Sequence, residues 1–339
     1  VFIILFYSLS ILIVKTAYLQ YDGLAHWIFK VKVFFQGGAY ENLVGLPSDH
    51  YPHLGSYMWA FFWKNSLLKY EYLGRLFFIF IFLLCIFSLN SKFKDRFSQM
   101  ERLIIIFLLT FFSTNFFLFG GYQEYFIFFC FFCFSCFFLK FCYVEKNYKE
   151  NKFIPEIIMF LILNTMLWTK QEGFFYFLIL GLIFMLHAKR NLIDKIFFLI
   201  LITLSLISFS FIKNYYFGGL EFSEKIINPE IYKNLNLKYL FSKLHIITKY
   251  FLISFIKYPI WIITILSLIY LSLKTHYFKN NYFIFTYIFL SIIFIYGLFL
   301  HIHPNLQWLV PLTLNRLIFG LSGFLIFINI EMFNQNKKF

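Results

Sequence analysis

Residues 1–35 of the chain read VFIILFYSLSILIVKTAYLQYDGLAHWIFKVKVFF. The segment 1–19 is almost entirely apolar, and roughly 20 such residues cross a hydrocarbon core of about 30 Å as a helix. An acid, a histidine, aromatic side chains and lysines follow directly. The stretch therefore predicts a membrane-spanning helix that leads into a polar segment rich in chemically useful side chains.

The rest of the chain continues the apolar character of this first span. Of 339 residues, 61% are hydrophobic and only 14% are charged, and the mean hydropathy is +0.74. Soluble domains contain about 45–50% apolar and about 25% charged residues, so this chain cannot cover itself with polar surface in water. We expect an all-α polytopic membrane helix bundle in which residues 1–339 form a single transmembrane domain.

About ten stretches are long and apolar enough to be predicted as spans: 1–19, 72–90, 103–119, 125–143, 154–169, 174–188, 196–213, 246–272, 282–300 and 312–331. No A-x-A-like cleavage motif precedes Tyr21, so the first span is expected to be retained as a helix.

The short connections on one side of these spans carry lysine or arginine: 91–102, 144–153, 187–195 and 273–281. Cytoplasmic loops show this excess, so the pattern predicts a protein of the cytoplasmic (inner) membrane with both termini inside. Most of the clustered polar residues then face outward, in 20–71, 120–124, 169–173, 214–245 and 301–316.

The net charge of +14 does not indicate a nucleic-acid partner, because the basic residues are scattered over short loops instead of gathered on one face. The cysteines of the segment FFCFFCFSCFF (128–138) have metal-like spacing, but no polar ligand accompanies them. We interpret them as small packing residues.

The first outer loop, 20–71, predicts two helices at the membrane surface. Residues 23–35 place Ala25, Ile28, Phe29 and Lys32 at helical spacing, and Trp27, Phe34 and Phe35 give the segment an interfacial character. Pro52 is suited to open a second helix, HLGSYMWAFFWK. Asp22 stands where the first span leaves the lipid. It is either a helix cap or topological acid, or a catalytic base at the polar edge of the bilayer.

The same loop contains Asp49, His50 and His53 in the segment DHYPH. Carboxylate and imidazole groups at this spacing could ligate a divalent metal. Contact with lipid headgroups is the simpler interpretation.

Three further outer segments contain ionisable groups near the hydrocarbon, where such groups usually pair or serve a site. Glu124 follows a Gly-Gly pair and could cap a helix. Lys170 and Glu172 share a tight turn, TKQEG, and could form a structural pair. Arg316 is predicted to begin the last span, where an arginine opposes the helix dipole and needs an anion, either an acid or a ligand phosphate.

Taken in order, these segments resemble the GT-C superfamily of polytopic glycosyltransferases, which use polyprenyl-phosphate sugars. The pattern YDGLAHWIFKVKVFFQGG…HYPHL is similar to the segment that those enzymes carry after their first span. GYQE (121–124), TKQEG (169–173) and LNR (314–316) resemble a Gly-Tyr-x-acid turn, a Lys-x-Glu-Gly turn and a Leu-Asp-Arg element. The bacterial dolichyl-phosphate-mannose-protein mannosyltransferase and aminoarabinose transferase types are the similar members. Two positions depart from the pattern, because Glu124 replaces a common Asp and Asn315 replaces the Asp of Leu-Asp-Arg.

The resemblance implies inverting transfer of a sugar from a polyprenyl-phosphate donor to an envelope glycan, lipid or protein acceptor on the outer side. It implies catalytic roles for Asp22, as the base, and for Glu124, with Lys170 and Arg316 on the donor phosphate. The other residues that we expect to bind substrate are Trp27, Lys30, His50, Tyr51, His53 and Glu172. The sequence requires no cofactor, although a divalent metal stays open.

Two other functions stay open from the sequence. A lipid-linked sugar flippase or another secondary transporter is also polytopic, but its site usually lies at the bilayer midplane between broken helices. An O-antigen polymerase or ligase would use similar donors and tends to place its chemistry in a long late loop. The late loop 214–245 is poorer in clustered acids and histidines than 20–71, which favours the first interpretation.

Overall fold

The computed structural model describes residues 1–94, 97–143, 153–217, 237–272, 282–302 and 306–335. Within these ranges the chain consists of helices and turns without a β-strand, as the composition predicted. The α-helices of this described part, numbered in chain order, are α1 Phe2–Thr16, α2 Ile28–Phe35, α3 Leu54–Lys64, α4 Glu71–Ser88, α5 Asn90–Phe93, α6 Gln99–Ser113, α7 Glu124–Phe137, α8 Ile154–Thr169, α9 Gly173–His187, α10 Leu192–Phe217, α11 Leu237–Lys257, α12 Ile260–Ser272, α13 Tyr282–Ile302 and α14 Leu306–Gln335.

Several of these helices have the length and composition of membrane spans, and they indicate an integral membrane protein. In the described ranges, five segments qualify: Glu71–Phe93, Glu124–Phe141, Leu192–Phe217, Tyr282–Leu300 and Leu309–Met332. A sixth crossing results if the bent pair α11 and α12 is one span, and α1, α8 and α9 are apolar but shorter. The expected count of about ten spans is therefore not confirmed.

Two predicted spans are interrupted, each for a local reason. The stretch 246–272 bends by 90° between α11 and α12, where Pro259 lacks the N–H that a continuous helix needs. The stretch 103–119 ends as α-helix at Ser113 and continues through a 3-10 turn. The Tyr125 hydroxyl accepts from the backbone N–H of Asn115 and donates to its carbonyl, so the freed backbone groups are satisfied.

The core of the bundle is the contact between α7 and α14. The rings of Phe128 and Phe319 stack with centroids 5.1 Å apart. A Cβ at Gly323 would lie 2.2 Å from the Phe128 carbonyl oxygen, so the backbones meet where no side chain fits. The close contact of α7 and α14 fixes the relative position of Glu124 and Arg316. These residues lie about one turn before Phe128 and Phe319 on their helices.

The two ends of the bundle carry separate sets of ion pairs. At one end Arg190 binds both carboxylate oxygens of Glu156 at 2.6 and 3.1 Å and approaches Asp194 at 3.5 Å. Lys92 pairs with Glu331 at this same end, which corresponds to the side predicted to be cytoplasmic. The other end holds the first loop and the candidate site.

Both helices predicted in the first loop are present. A π-helical turn, Gly23–Trp27, runs directly into α2, and together they cover the predicted 23–35. The second helix, α3, begins two residues after Pro52. The two helices pack on each other through Phe35 and Trp63, whose rings stack at 4.1 Å.

Candidate active site

Five of the predicted site residues meet in one cluster, which we call the ionic cluster: Asp22, Glu124, Lys170, Glu172 and Arg316. Arg316 donates from Nε to Glu124 at 2.6 Å and from Nη2 to Asp22 at 2.5 Å. Lys170 Nζ donates to the same Glu124 oxygen at 2.7 Å and lies 3.2 Å from Glu172. Four segments that are remote in sequence therefore share one site.

The chain segment that follows α1 determines the position of Asp22. Ala17 takes a left-handed conformation with φ 45°, which ends the helix. The buried Arg75 guanidinium donates to the carbonyls of Ala17 and Tyr18 at 3.1 and 2.9 Å, and both carboxylate oxygens of Glu71 hold it in place. Arg75 was not among the predicted site residues, although an arginine inside the apolar span 72–90 was a signal that could have found it.

Glycines bring the Asp22 segment against the turn that precedes α7. The backbone N–H of Gln20 donates to the Gly120 carbonyl at 2.8 Å. A Cβ at Gly23 would stand 2.5 Å from that same carbonyl oxygen, and Gly121 has φ +100°. The close approach at Gly23 leaves no room for a side chain, and the positive φ at Gly121 favours glycine. These glycines therefore allow the Asp22 segment to lie beside Glu124.

Glu124 is the first residue of α7, as its predicted capping role required. Its side chain makes no capping hydrogen bond, since Oε1 accepts from Lys170 and Arg316 and Oε2 has no partner among the described residues. The Lys170–Glu172 pair predicted from the TKQEG turn is present, but Lys170 also reaches Glu124 at the shorter distance. A capping role for Glu124 and a pair of Lys170 with Glu172 alone therefore do not account for the contacts of these residues.

The position of Arg316 within its helix differs from the prediction. It does not begin the last span, since α14 starts at Leu306 and places the arginine inside the helix. The anion that it needs is supplied by Asp22 and Glu124, and its guanidinium also lies 4.2 Å from the centroid of the Tyr122 ring.

The neighbouring Asn315 makes two contacts that an aspartate could not make together. Its amide nitrogen donates to the Pro311 carbonyl at 3.0 Å, and its side-chain oxygen accepts from Ser254 at 2.8 Å. An aspartate could accept but could not donate when ionised. Asn315 therefore fastens α14 to α11 and lies outside the ionic cluster.

The ionic cluster holds three carboxylates and two cations, so its formal charge is −1 when all five groups are ionised. Glu124 Oε2 has no hydrogen-bond partner among the described residues. Both cations expected to bind a phosphate are thus already paired with acids.

Lys30, Trp27 and Tyr51 form a second group beside the ionic cluster. Lys30 is fully buried, its ammonium donates to the Tyr51 carbonyl at 3.1 Å, and it lies 5.4 Å from the ring centroids of both aromatic residues. Burial, and then the charge of Lys213, lower the pKa of Lys30 to about 6.

Tyr51 contacts two aromatic rings of the first loop, and the charges of the ionic cluster act on its hydroxyl. Its ring lies 5.8 Å from that of Trp27 and 5.5 Å from that of His26. Burial, and then the charges of Glu172 and Asp22, raise the pKa of its hydroxyl to about 12. His26, which the sequence analysis did not select, is hydrogen-bonded through Nδ1 to the Ser48 hydroxyl at 2.6 Å.

His50 and His53 have different surroundings. His50 Nδ1 lies 3.5 Å from Asp49, whereas the ring of His53 is buried between Tyr40 and Phe217. Burial, and then the charge of Lys30, lower the pKa of His53 to about 2. The described residues contain no group of three or more histidine, cysteine or acidic side chains arranged to hold a metal ion.

No family model, curated protein or solved structure matches this chain. The resemblance to the GT-C superfamily therefore stays a prediction.

Proposed function

We propose that the protein is a membrane glycosyltransferase that moves a sugar from a polyprenyl-phosphate donor to an acceptor hydroxyl or amine. The observation that supports this is the ionic cluster, in which acids and cations from four remote segments converge at one end of an apolar bundle. Buried ion pairs contribute little net stability compared with apolar packing. A cluster of this size is therefore better explained by chemistry than by folding.

Within the cluster, exposure supports Asp22 as the base. Its side chain is 18% exposed and that of Glu124 only 3%, so an acceptor can approach the first carboxylate more easily. In the proposed reaction the acceptor oxygen gives its proton to Asp22 and attacks the anomeric carbon. The bond from that carbon to the phosphate oxygen breaks, and the electron pair leaves with the phosphate.

The departing phosphate gains negative charge, and we propose that Arg316 and Lys170 stabilise it. Both are paired with acids in the resting cluster, so they would turn toward the phosphate only as its charge grows. A phosphate that took a hydrogen bond from Arg316 would release Asp22 to accept the proton. Interactions that form only in the transition state accelerate the chemical step.

The experiment that tests the proposal is sugar transfer by the purified protein in detergent. Radiolabelled polyprenyl-phosphate sugars would be supplied with crude envelope acceptor, and Asp22→Asn compared with wild type. We expect transfer to fall by about 10²- to 10⁴-fold. Glu41→Gln, an exposed acid of the same loop, is the matched control and should keep full activity. An Asp22→Asn protein that folds and transfers at the wild-type rate would overturn the assignment.

One observation favours a second function, a lipid-linked sugar transporter. The 90° bend between α11 and α12 is a broken helix, which transporters use around their substrates. The ionisable residues of the ionic cluster lie at one end of the bundle, and this favours the enzyme. Movement of a labelled lipid-linked sugar across liposomes without donor consumption would favour the transporter.

A further inference from the structure

The most unusual charged side chain outside the ionic cluster is Lys30. It is 0% exposed, yet its only described hydrogen-bond acceptor is the Tyr51 carbonyl. An ammonium has three N–H donors, and a buried charge is costly unless it is paired. Lys32 on the same helix is exposed. The solubility of α2 therefore does not explain the presence of a lysine at the buried position 30.

Two further polar atoms beside Lys30 are buried without a described hydrogen-bond partner. They are Trp27 Nε1 and His53 Nδ1, on residues that are 1% and 2% exposed. Indole nitrogen is only a donor, and a buried donor without an acceptor destabilises the folded protein. Unsatisfied groups of this kind require an explanation, such as a ligand.

The charged groups near Lys30 are of both signs. Lys213, on the last turns of α10, lowers the pKa of Lys30, whereas Asp49 raises it. The neighbouring titratable groups are His50 and His53 of the loop and His26 of the π-turn, and burial lowers the pKa of each, so they are neutral near pH 7. A ligand that brings its own negative charge is therefore a partner that would let Lys30 hold its proton.

We propose that Lys30, Trp27 and His53 form an anion subsite that binds a phosphoryl group of the substrate. A phosphoryl group supplies strong acceptor oxygens and negative charge, which the buried Lys30 and Trp27 donors lack, and His53 Nδ1 donates as well in the tautomer that carries its proton there. Tyr51 contacts Trp27 of the subsite, and the charges of Glu172 and Asp22 act on its hydroxyl, so the subsite and the ionic cluster would serve one substrate. The subsite anchors the phosphate before reaction, and Arg316 and Lys170 act as its charge grows.

The inference rests on the proposed function only for the source of the phosphoryl group. The lipid donor could supply it as its headgroup, or the acceptor could carry it as a soluble sugar phosphate. The chemistry recognised is the same in both cases. The test therefore uses polyprenyl monophosphate without sugar as one probe and inorganic phosphate as the other.

The measurement is isothermal titration calorimetry on the full chain in lipid nanodiscs. At pH 7 we expect Lys30→Met to weaken binding of polyprenyl monophosphate by about 10- to 100-fold, because a hydrogen bond to a charged group is lost. Lys30→Arg should restore part of the affinity, and Lys32→Met should bind as wild type. Saturation by inorganic phosphate with the same Lys30 dependence would assign the subsite to soluble phosphate groups.

A second readout distinguishes binding from packing. An anion that pairs with Lys30 raises its proton affinity, so wild type should take up protons on binding, and the observed heat should change with the ionisation enthalpy of the buffer. Lys30→Met should lose this dependence. Trp27→Phe keeps the ring and removes only the N–H, and we expect it to weaken binding by about 5- to 30-fold.

Wild-type affinity in Lys30→Met and in Trp27→Phe would overturn the subsite. Phosphate binding that depends on Lys30, in a protein that transfers no sugar under any condition, would support the subsite and overturn the proposed function. The two failures are therefore distinguishable. Methionine has a similar length to lysine and carries no charge, so Lys30→Met is expected to fold.

Discussion

Arg316 and Asp22 are joined by a hydrogen bond of 2.5 Å across 294 residues of sequence. The bond connects α14 to the segment after α1, and Glu124 accepts a second hydrogen bond, from Nε of the same guanidinium, at 2.6 Å. Because both acids depend on one arginine, the stability of the site and its chemistry are coupled.

A double-mutant cycle measures this coupling. Arg316→Met alone should cost about 3–5 kcal/mol of unfolding free energy, since it leaves buried acids without a cation. The cycle with Asp22→Asn should give an interaction energy of about 0.5–3 kcal/mol. Reversible unfolding in mixed detergent micelles provides the free energies. Asp22→Asn combined with Lys92→Met, at the opposite end of the bundle, is the control and should be additive within about 0.5 kcal/mol.

The two glutamates of the ionic cluster should differ in their effect on stability. Glu124 binds both cations through one buried oxygen, whereas Glu172 contacts only Lys170 and is more exposed. We expect Glu124→Gln to cost about 3–5 kcal/mol and Glu172→Gln under about 1 kcal/mol. Thermal unfolding of the two purified variants checks this order, and equal losses would contradict the arrangement of hydrogen bonds.

Much of the site could be predicted from the sequence, because ionisable residues at the ends of apolar spans are costly and few. Asp22, Glu124, Lys170, Glu172 and Arg316 were all selected this way. The Lys170–Glu172 pair and the need of Arg316 for an anion could also be predicted. The contacts of Glu124 with both cations, and of Asp22 with Arg316, could not be predicted, since no local periodicity reports on a partner in a distant segment.

Other features escaped the sequence analysis for local physical reasons. The burial of Lys30 depends on how α2 packs against the loop, and helical spacing alone does not decide which of Lys30 and Lys32 faces inward. Arg75 lay inside a run that hydropathy reads as lipid-facing. The count of about ten spans is not confirmed, since apolar composition does not reveal where Pro259 bends a helix or where α6 ends.

The contact between Gly23 and Gly120 leads to a packing prediction. Gly23→Ala places a methyl group 2.5 Å from a backbone oxygen, so the Asp22 segment must shift, at a cost of about 1–3 kcal/mol. A displacement of about 1 Å can reduce catalysis by about 10²-fold, and transfer should fall accordingly. Gly297→Ala is the matched control, because nothing lies within 4 Å of its Cβ. It should be neutral or stabilise α13 by up to about 1 kcal/mol.

The pH dependence of stability should report on Lys30. Burial lowers its pKa from 10.5 to about 6 in the folded protein, so between these values the unfolded chain binds one more proton. The contribution of Lys30 to stability therefore increases as the pH rises from about 6 to 10.5, by about 1.4 kcal/mol per pH unit, and is lost as the pH falls to 6.

The measurement compares unfolding of wild type, Lys30→Met and Lys32→Met between pH 5 and 10. Lys30→Met should be more stable than wild type near pH 6, because wild type must release the Lys30 proton on folding and the variant has no such proton. The difference should shrink steadily toward pH 10, where releasing that proton costs less free energy. Lys32→Met should follow the wild-type curve throughout, since its side chain is exposed in both states. Parallel curves for wild type and Lys30→Met would mean that Lys30 keeps its charge in the folded protein, with an anion or Asp49 as its partner.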